Sequence, residues 1–186
     1  MTAQARVLNW ILPFSPPSAT EADWEALYQQ ELPRIYNFFR YRVGNSAVAE
    51  DLTSLTFEKA WGARHRYRRD LAAFSTWLFT IARNVATDHF RRSHHEVPLE
   101  EISRHAGTHD PEAEVLRRAE NERLAALLAE LPERERDLLS LKYGAGLTNR
   151  AIAQVTGLSE SNIGTILHRT IGKLREQWTE ERSIEN

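Results

Sequence analysis

Between Leu147 and Leu174 the chain reads LTNRAIAQVTGLSESNIGTILHRTIGKL, and three residues of that segment leave little freedom in how it folds. Ala153 is small where two helices must cross, Gly157 stands where a turn requires a positive φ, and Ile163 is apolar where the second helix packs back on the first. This is the spacing of a helix-turn-helix. Thr148 and Ser159 fall where each helix needs an N-cap acceptor. Ile163, Leu167, Thr170, Ile171 and Leu174 form the inward stripe of the second helix. Glu160, Ser161, Thr165, His168, Arg169 and Gly172 are left on the face that would enter a major groove. A plain helical hairpin also uses a glycine turn, but spacing and caps together favour a DNA-binding unit.

The rest of the chain carries helical periodicity and no strand-like alternation, so the expected fold class is all-α. Trp24, Leu27, Tyr28, Ile35, Phe38, Phe39 and Val43 recur at helical spacing up to Gly44, a C-terminal cap, with Pro33 as a candidate kink. Asn45 or Ser46 caps a second helix with Val48, Leu52 and Leu55 as its stripe and Phe57 and Trp61 on the flank. In a third helix Phe74, Trp77, Leu78, Ile81 and Val85 form the buried stripe. Thr76, Thr80, Arg83, Thr87 and Arg91 form a polar, cationic face. Residues 96–111 lack periodicity and read as a flexible linker. Beyond it, Leu116, Leu124, Leu127, Leu128 and Leu131 mark one helix, and Pro132 with Glu133 and Glu135 suits the start of another.

At 186 residues the chain fits one large or two small domains. It has no cysteine, which excludes disulfides, thiolate zinc sites and a cysteine nucleophile. No apolar run is long enough to span a membrane, and the first residues lack the features of a signal peptide, so no membrane insertion and a cytoplasmic location are expected. The net charge of −2 hides an uneven distribution. Lys59–His95 holds eight basic residues against two acidic ones, whereas Glu96–Glu122 holds eight acidic against three basic, as expected for two units and a connector. In the basic block, aromatic rings alternate with Lys59, Arg64, Arg66, Arg68 and Arg69, the chemistry that stacks bases and neutralises phosphates of a single strand. Trp61, Phe74 and Trp77 fall on apolar stripes, which leaves Tyr67 as the better stacking candidate. The seven histidines come without an HExxH pattern, and no phosphate loop, GxSxG elbow or kinase signature is present. Neither an enzyme nor a metal, cofactor or small-molecule substrate is therefore expected.

Together the two units resemble an extracytoplasmic-function (ECF) sigma factor of the sigma-70 superfamily. The motifs are Ala49-Glu-Asp-Leu52, Phe57-Glu-Lys-Ala-Trp61, Trp77-Leu-Phe-Thr-Ile-Ala-Arg-Asn84, Asp88-His-Phe-Arg-Arg92, Leu131-Pro-Glu-Arg-Glu-Arg136 and the helix-turn-helix. The resemblance covers about Glu21 to Trp178 and implies a region 2-like domain over 21–95 and a region 4-like domain over 112–180, on either side of the linker over 96–111; the N-terminal extension over 1–20 lies outside it, and 181–186 is read as a tail. It implies core RNA polymerase and promoter DNA as partners, and it admits an anti-sigma factor. Polymerase docking falls to Asp51, Leu52, Ser54, Leu55 and Glu58. Minus-ten recognition and melting fall to Arg64, Arg66, Tyr67, Arg68, Arg69, Thr80, Arg83, Asn84, Thr87, Arg91 and Arg92. The minus-thirty-five duplex falls to Thr148, Glu160, Ser161, Asn162, Thr165, His168, Arg169 and Lys173. A free-standing helix-turn-helix regulator is the competing reading, and it leaves the basic aromatic unit unexplained.

Overall fold

The computed structural model describes residues 19–93, 120 and 123–184. The linker read over 96–111 and nearly all of the extension read over 1–20 lie outside the described residues. Helix α1 spans Ala19–Val43, α2 Ser46–Ala63, and a 3-10 turn Arg64–Arg66 leads through a loop to α3, Phe74–Ser93. Helix α4 covers 123–130 and α5 covers Glu133–Leu139, which opens into a wide turn over Ser140–Gly144. Helix α6 spans Asn149–Thr156, and α7 runs from Glu160 to Ile184, through much of the segment read as a tail. No strand occurs among the described residues.

In α1 the inward residues Tyr28, Ile35, Phe38 and Phe39 are buried. The helix passes unbroken through Pro33, which sits on the exposed face. Gly44 ends the helix, donating its N–H to the Arg40 carbonyl at 3.0 Å. Asn45 then caps α2, its Oδ1 accepting from the Val48 N–H at 3.0 Å. The buried side of α2 is Ala49, Leu52, Thr53, Thr56, Phe57 and Ala60, rotated from the stripe that Val48, Leu52 and Leu55 suggest. Phe57 belongs to the core, with its ring 4.6 Å from Tyr28. Two threonines tolerate this burial because each hydroxyl donates back to the carbonyl four residues earlier, Thr53 to Ala49 at 2.6 Å and Thr56 to Leu52 at 2.7 Å.

Helix α3 is covered on two sides. One side packs on α1 and α2, and the other packs on α6. Its buried set is therefore wider than one stripe and takes in Phe79, Ala82 and Ala86, while Trp77 and Ile81 are only half-buried. Thr76, expected on an open polar face, is buried and donates to Gln154 Oε1 at 3.3 Å.

The helix-turn-helix forms as the spacing demands. Thr148 Oγ1 accepts from the Ala151 N–H and Ser159 Oγ from the Asn162 N–H, each at 3.2 Å. Gly157 has φ +76°, a left-handed turn that costs an L side chain about 1–2 kcal/mol. Ile152, Ile163 and Leu167 are buried between the helices, and buried Thr170 donates to Glu135 Oε2 at 3.0 Å.

The two units share one continuous core. Gly144 meets α1 backbone to backbone, since a Cβ there would lie 2.8 Å from the Asn37 carbonyl oxygen. Arg34 Nε donates to the Ala145 carbonyl at 3.0 Å, and its Nη1 holds the buried Glu31 carboxylate at 2.8 Å. Burial pushes the Glu31 carboxyl above its usual range, against the pull of Arg34. Arg42, only 3% exposed, stacks 4.6 Å over Phe90 and donates to Glu133 Oε1 at 2.9 Å.

Candidate nucleic-acid interface

Four of the five residues assigned to polymerase docking lie toward the outer side of α2. Asp51, Ser54 and Glu58 are exposed at i, i+3 and i+7, with Leu55 half-buried beside them. Leu52 is a correction. It is 6% exposed and part of the core, so a charge placed there would damage the fold instead of a surface.

The loop after α2 is held by rings. Tyr67 lies 5.4 Å from Phe74 and 5.2 Å from Trp77, and Trp24 joins Trp61 at 5.2 Å and Phe74 at 5.6 Å. The Tyr67 hydroxyl donates to the Ala72 carbonyl at 3.3 Å. These contacts correct the reading of Tyr67 as a stacking platform, because its ring is already engaged and fixes the loop instead. Arg64 lies 4.0 Å over Trp61 and donates to the Trp61 carbonyl at 2.8 Å. Arg68 grips Asp70 through two bonds, 2.9 and 2.8 Å, and holds that carboxyl below its usual range. Arg66 and Arg69 are exposed and make no ion pair among the described residues. Leu71, 74% exposed, stands among these cations, and nothing in the basic pattern singles it out.

Along α3, Thr80, Asn84, Thr87 and Arg91 are exposed at i, i+4, i+7 and i+11, so they line one face that continues to exposed Arg92. Arg91 leans on Asp88 at 3.1 Å. Arg83 is the second correction to the expected cationic face. Its Nε donates to Asp137 Oδ2 and its Nη1 to the Val155 carbonyl, both at 2.9 Å, so the second unit occupies it. The reason is tertiary, since α6 covers this side of α3.

On the second unit, Glu160, Ser161, Asn162, Thr165, His168, Arg169 and Lys173 are all exposed. Thr148 is exposed as well, and its hydroxyl is engaged as the α6 cap. Exposed Arg150, on the first turn of α6, adds a cation near that cap which the second-helix pattern did not include. Among the described residues no group of three or more His, Cys, Asp or Glu side chains is placed to hold a metal. No helix among them is long and apolar enough to cross a membrane.

The exposed Arg169 sets an expected result. If α7 lies on a duplex and Arg169 meets a phosphate, Arg169→Ala weakens binding evenly across sequences and lowers the slope of log affinity against log salt by about 1. A titration of duplex DNA at several salt concentrations reads both quantities, and an unchanged slope removes Arg169 from the phosphate contacts.

A family model for sigma-70 region 2 matches residues 27–96, and one for sigma-70 region 4 matches residues 121–174. The chain is 33% identical over 160 residues to the ECF RNA polymerase sigma factor BldN of Streptomyces coelicolor, covering 84% of this chain and 61% of the relative's length. It is 31% identical over 166 residues to the RNA polymerase sigma factor YlaC of Bacillus subtilis, covering 87% of this chain and 95% of that protein. Its fold resembles the sigma factor RpoE in the co-crystal structure with the anti-sigma factor NepR from Bartonella quintana. That match has a TM-score of 0.67 at 22% identity and covers 84% of this chain and 97% of the other.

Proposed function

The chain belongs to the ECF sigma factors of the sigma-70 family, and from that premise we propose which of its surfaces performs each step of promoter recognition. As a sigma factor it directs core RNA polymerase to promoters and initiates DNA-templated transcription. It acts by binding and carries no chemistry of its own.

Asp51, Ser54, Leu55 and Glu58 dock on core polymerase. Arg66 and Arg69 neutralise phosphates of the minus-ten strand, while Asn84, between Thr80 and Thr87, hydrogen-bonds the edge of an unstacked base. Arg91 and Arg92 extend the phosphate track. The exposed side of α7 lies in the major groove of the minus-thirty-five duplex, anchored by the α6 cap and Arg150. The region 2-like unit ends near residue 95 and the region 4-like unit begins near 112. An anti-sigma factor, such as the one bound to the structurally similar RpoE, is a further partner of the chain's two units.

The observation that carries this reading is the exposed row Thr80, Asn84, Thr87 and Arg91 beside the ring-braced basic loop. A regulator working through its helix-turn-helix alone has no use for that row. Run-off transcription with purified core polymerase tests the reading, with Asp51→Arg as the docking probe. Charge reversal on a docking surface is expected to cut co-elution with core polymerase by about tenfold or more, with helical content unchanged. Unaltered co-elution would remove Asp51 from the surface, and absence of promoter-directed transcripts from the unsubstituted chain would refute the whole reading.

A further inference from the structure

Helix α7 turns a row of mostly short side chains outward. Ile163, Leu167 and Thr170 are buried, and Ser161, Thr165, His168 and Gly172, at i, i+4, i+7 and i+11, stand on the opposite side. A Cβ at Gly172 would meet nothing within 4 Å, so no other described part of the chain crowds that end of the row. The longer side chains of Asn162, Arg169 and Lys173 lie along one flank, and Glu160 lies on the other. Cations on a flank suit the phosphate wall of a groove, whereas short central residues let the helix approach the base edges closely.

Thr165 is exposed in the middle of this row, and its hydroxyl is already committed. Its Oγ1 donates to the Ser161 carbonyl at 3.0 Å, one turn back along the same helix. A free hydroxyl reads bases ambiguously, because it can donate or accept. Here the proton is taken and the oxygen is drawn back toward the main chain, which leaves the Cγ2 methyl as the group that an incoming base edge would meet. Among the bases of unmodified DNA, thymine alone offers a methyl in the major groove.

We propose that Thr165 selects a thymine in the minus-thirty-five duplex by packing its methyl against the C5-methyl of that base. The inference deepens the placing of α7 in the major groove and rests on it. Shortness is what makes the contact specific. A methyl reaches only a base directly beneath it, so the preference falls on one position of the element, and neither partner gives up a hydrogen bond to make it. Ser161, one turn before, and Gly172, two turns after, are too small to hold the helix away from that base. Arg169, on the flank, adds attraction without sequence preference, in keeping with the even weakening expected from its removal.

The test uses holoenzyme formed from the full chain and core polymerase. Bound duplexes are selected from a pool randomised upstream of the transcription start. Each thymine of the recovered upstream element is then replaced by deoxyuridine, which removes the methyl and keeps every hydrogen-bonding group. One replacement should weaken binding by the unsubstituted chain about three- to fivefold, the effect of returning a single methyl to water. Thr165→Ser keeps the hydroxyl and loses the methyl, so it should bind the thymine and uracil duplexes equally. Thr165→Val keeps the methyl and loses the hydroxyl, so its thymine-to-uracil ratio should stay at about three- to fivefold whatever its overall affinity. A change in duplex shape caused by uracil would lower binding by all three proteins alike, and that pattern overturns the proposal. So does sensitivity kept by Thr165→Ser, sensitivity lost by Thr165→Val, or a selected element in which no thymine is sensitive. Failure to select any upstream sequence refutes the placing of α7 in the groove itself, a different result from a selected element indifferent to the methyl.

Discussion

Replacing Asn84 by alanine is expected to reduce transcription from a fully duplex promoter by a factor of about 5 to 150. This corresponds to the roughly 1–3 kcal/mol that one amide's hydrogen bonds to a base edge contribute to discrimination. The residue is exposed at the middle of the Thr80–Arg91 row, so its removal alters no packing. Loss of stability therefore cannot account for the effect. The informative comparison uses two matched templates, one fully paired and one with the minus-ten region already open. If Asn84 holds an unstacked base, the variant changes base preference on both and loses more on the paired template, where capture must also offset unpairing. Wild-type preference on both templates would return α3 to the role of a solvated helix over an ordinary core.

An effect at least as large, on stability, is expected from Ile163→Asp. Ile163 is fully buried where α7 packs on α6. Removing its side chain alone costs about 2–5 kcal/mol, and an unpaired carboxylate in the same place adds several more. The sum is comparable to the whole stability of a small domain. The helix-turn-helix should unfold, with loss of duplex binding and a large fall in the denaturant midpoint. Because Ile163 belongs to the same continuous core as Phe38 and Phe79, the loss should reach the first unit as well. A midpoint shift worth less than about 1 kcal/mol would mean that the two helices are held by something other than this contact.

Local chemistry was legible in the sequence wherever one residue settles one local question. Thr148, Ser159 and Asn45 are caps because each has a short side-chain oxygen at a helix start, and Gly157 is the turn because a left-handed residue is required there. The all-α class followed from periodicity, and the outward face of α7 followed from the inward one. Periodicity failed where a helix is covered twice. It identifies one buried stripe of α3 but not α6 lying over the other side, and so Thr76 and Arg83 read as open. In α2 the stripe was assigned from large apolar residues, while the core also takes Thr53 and Thr56, whose hydroxyls are satisfied inside their own helix. Leu52 falls on a docking surface by family position alone, whereas its place in the apolar stripe of α2 already points to the burial it shows. Tyr67 read as a platform because ring-to-ring contacts across Trp24, Phe74 and Trp77 join three separate segments.

The backbone contact at Gly144 works as a gauge. Ion pairs and apolar side chains can adapt by changing rotamers, but the Asn37 carbonyl sits where any side chain at 144 would begin. Even one methyl group there is a shim that widens the joint by a few tenths of an ångström or more, without altering a single charge. The seating of the second unit on the first is therefore set by main chain, so side chains around the joint can vary while the seat keeps its dimensions.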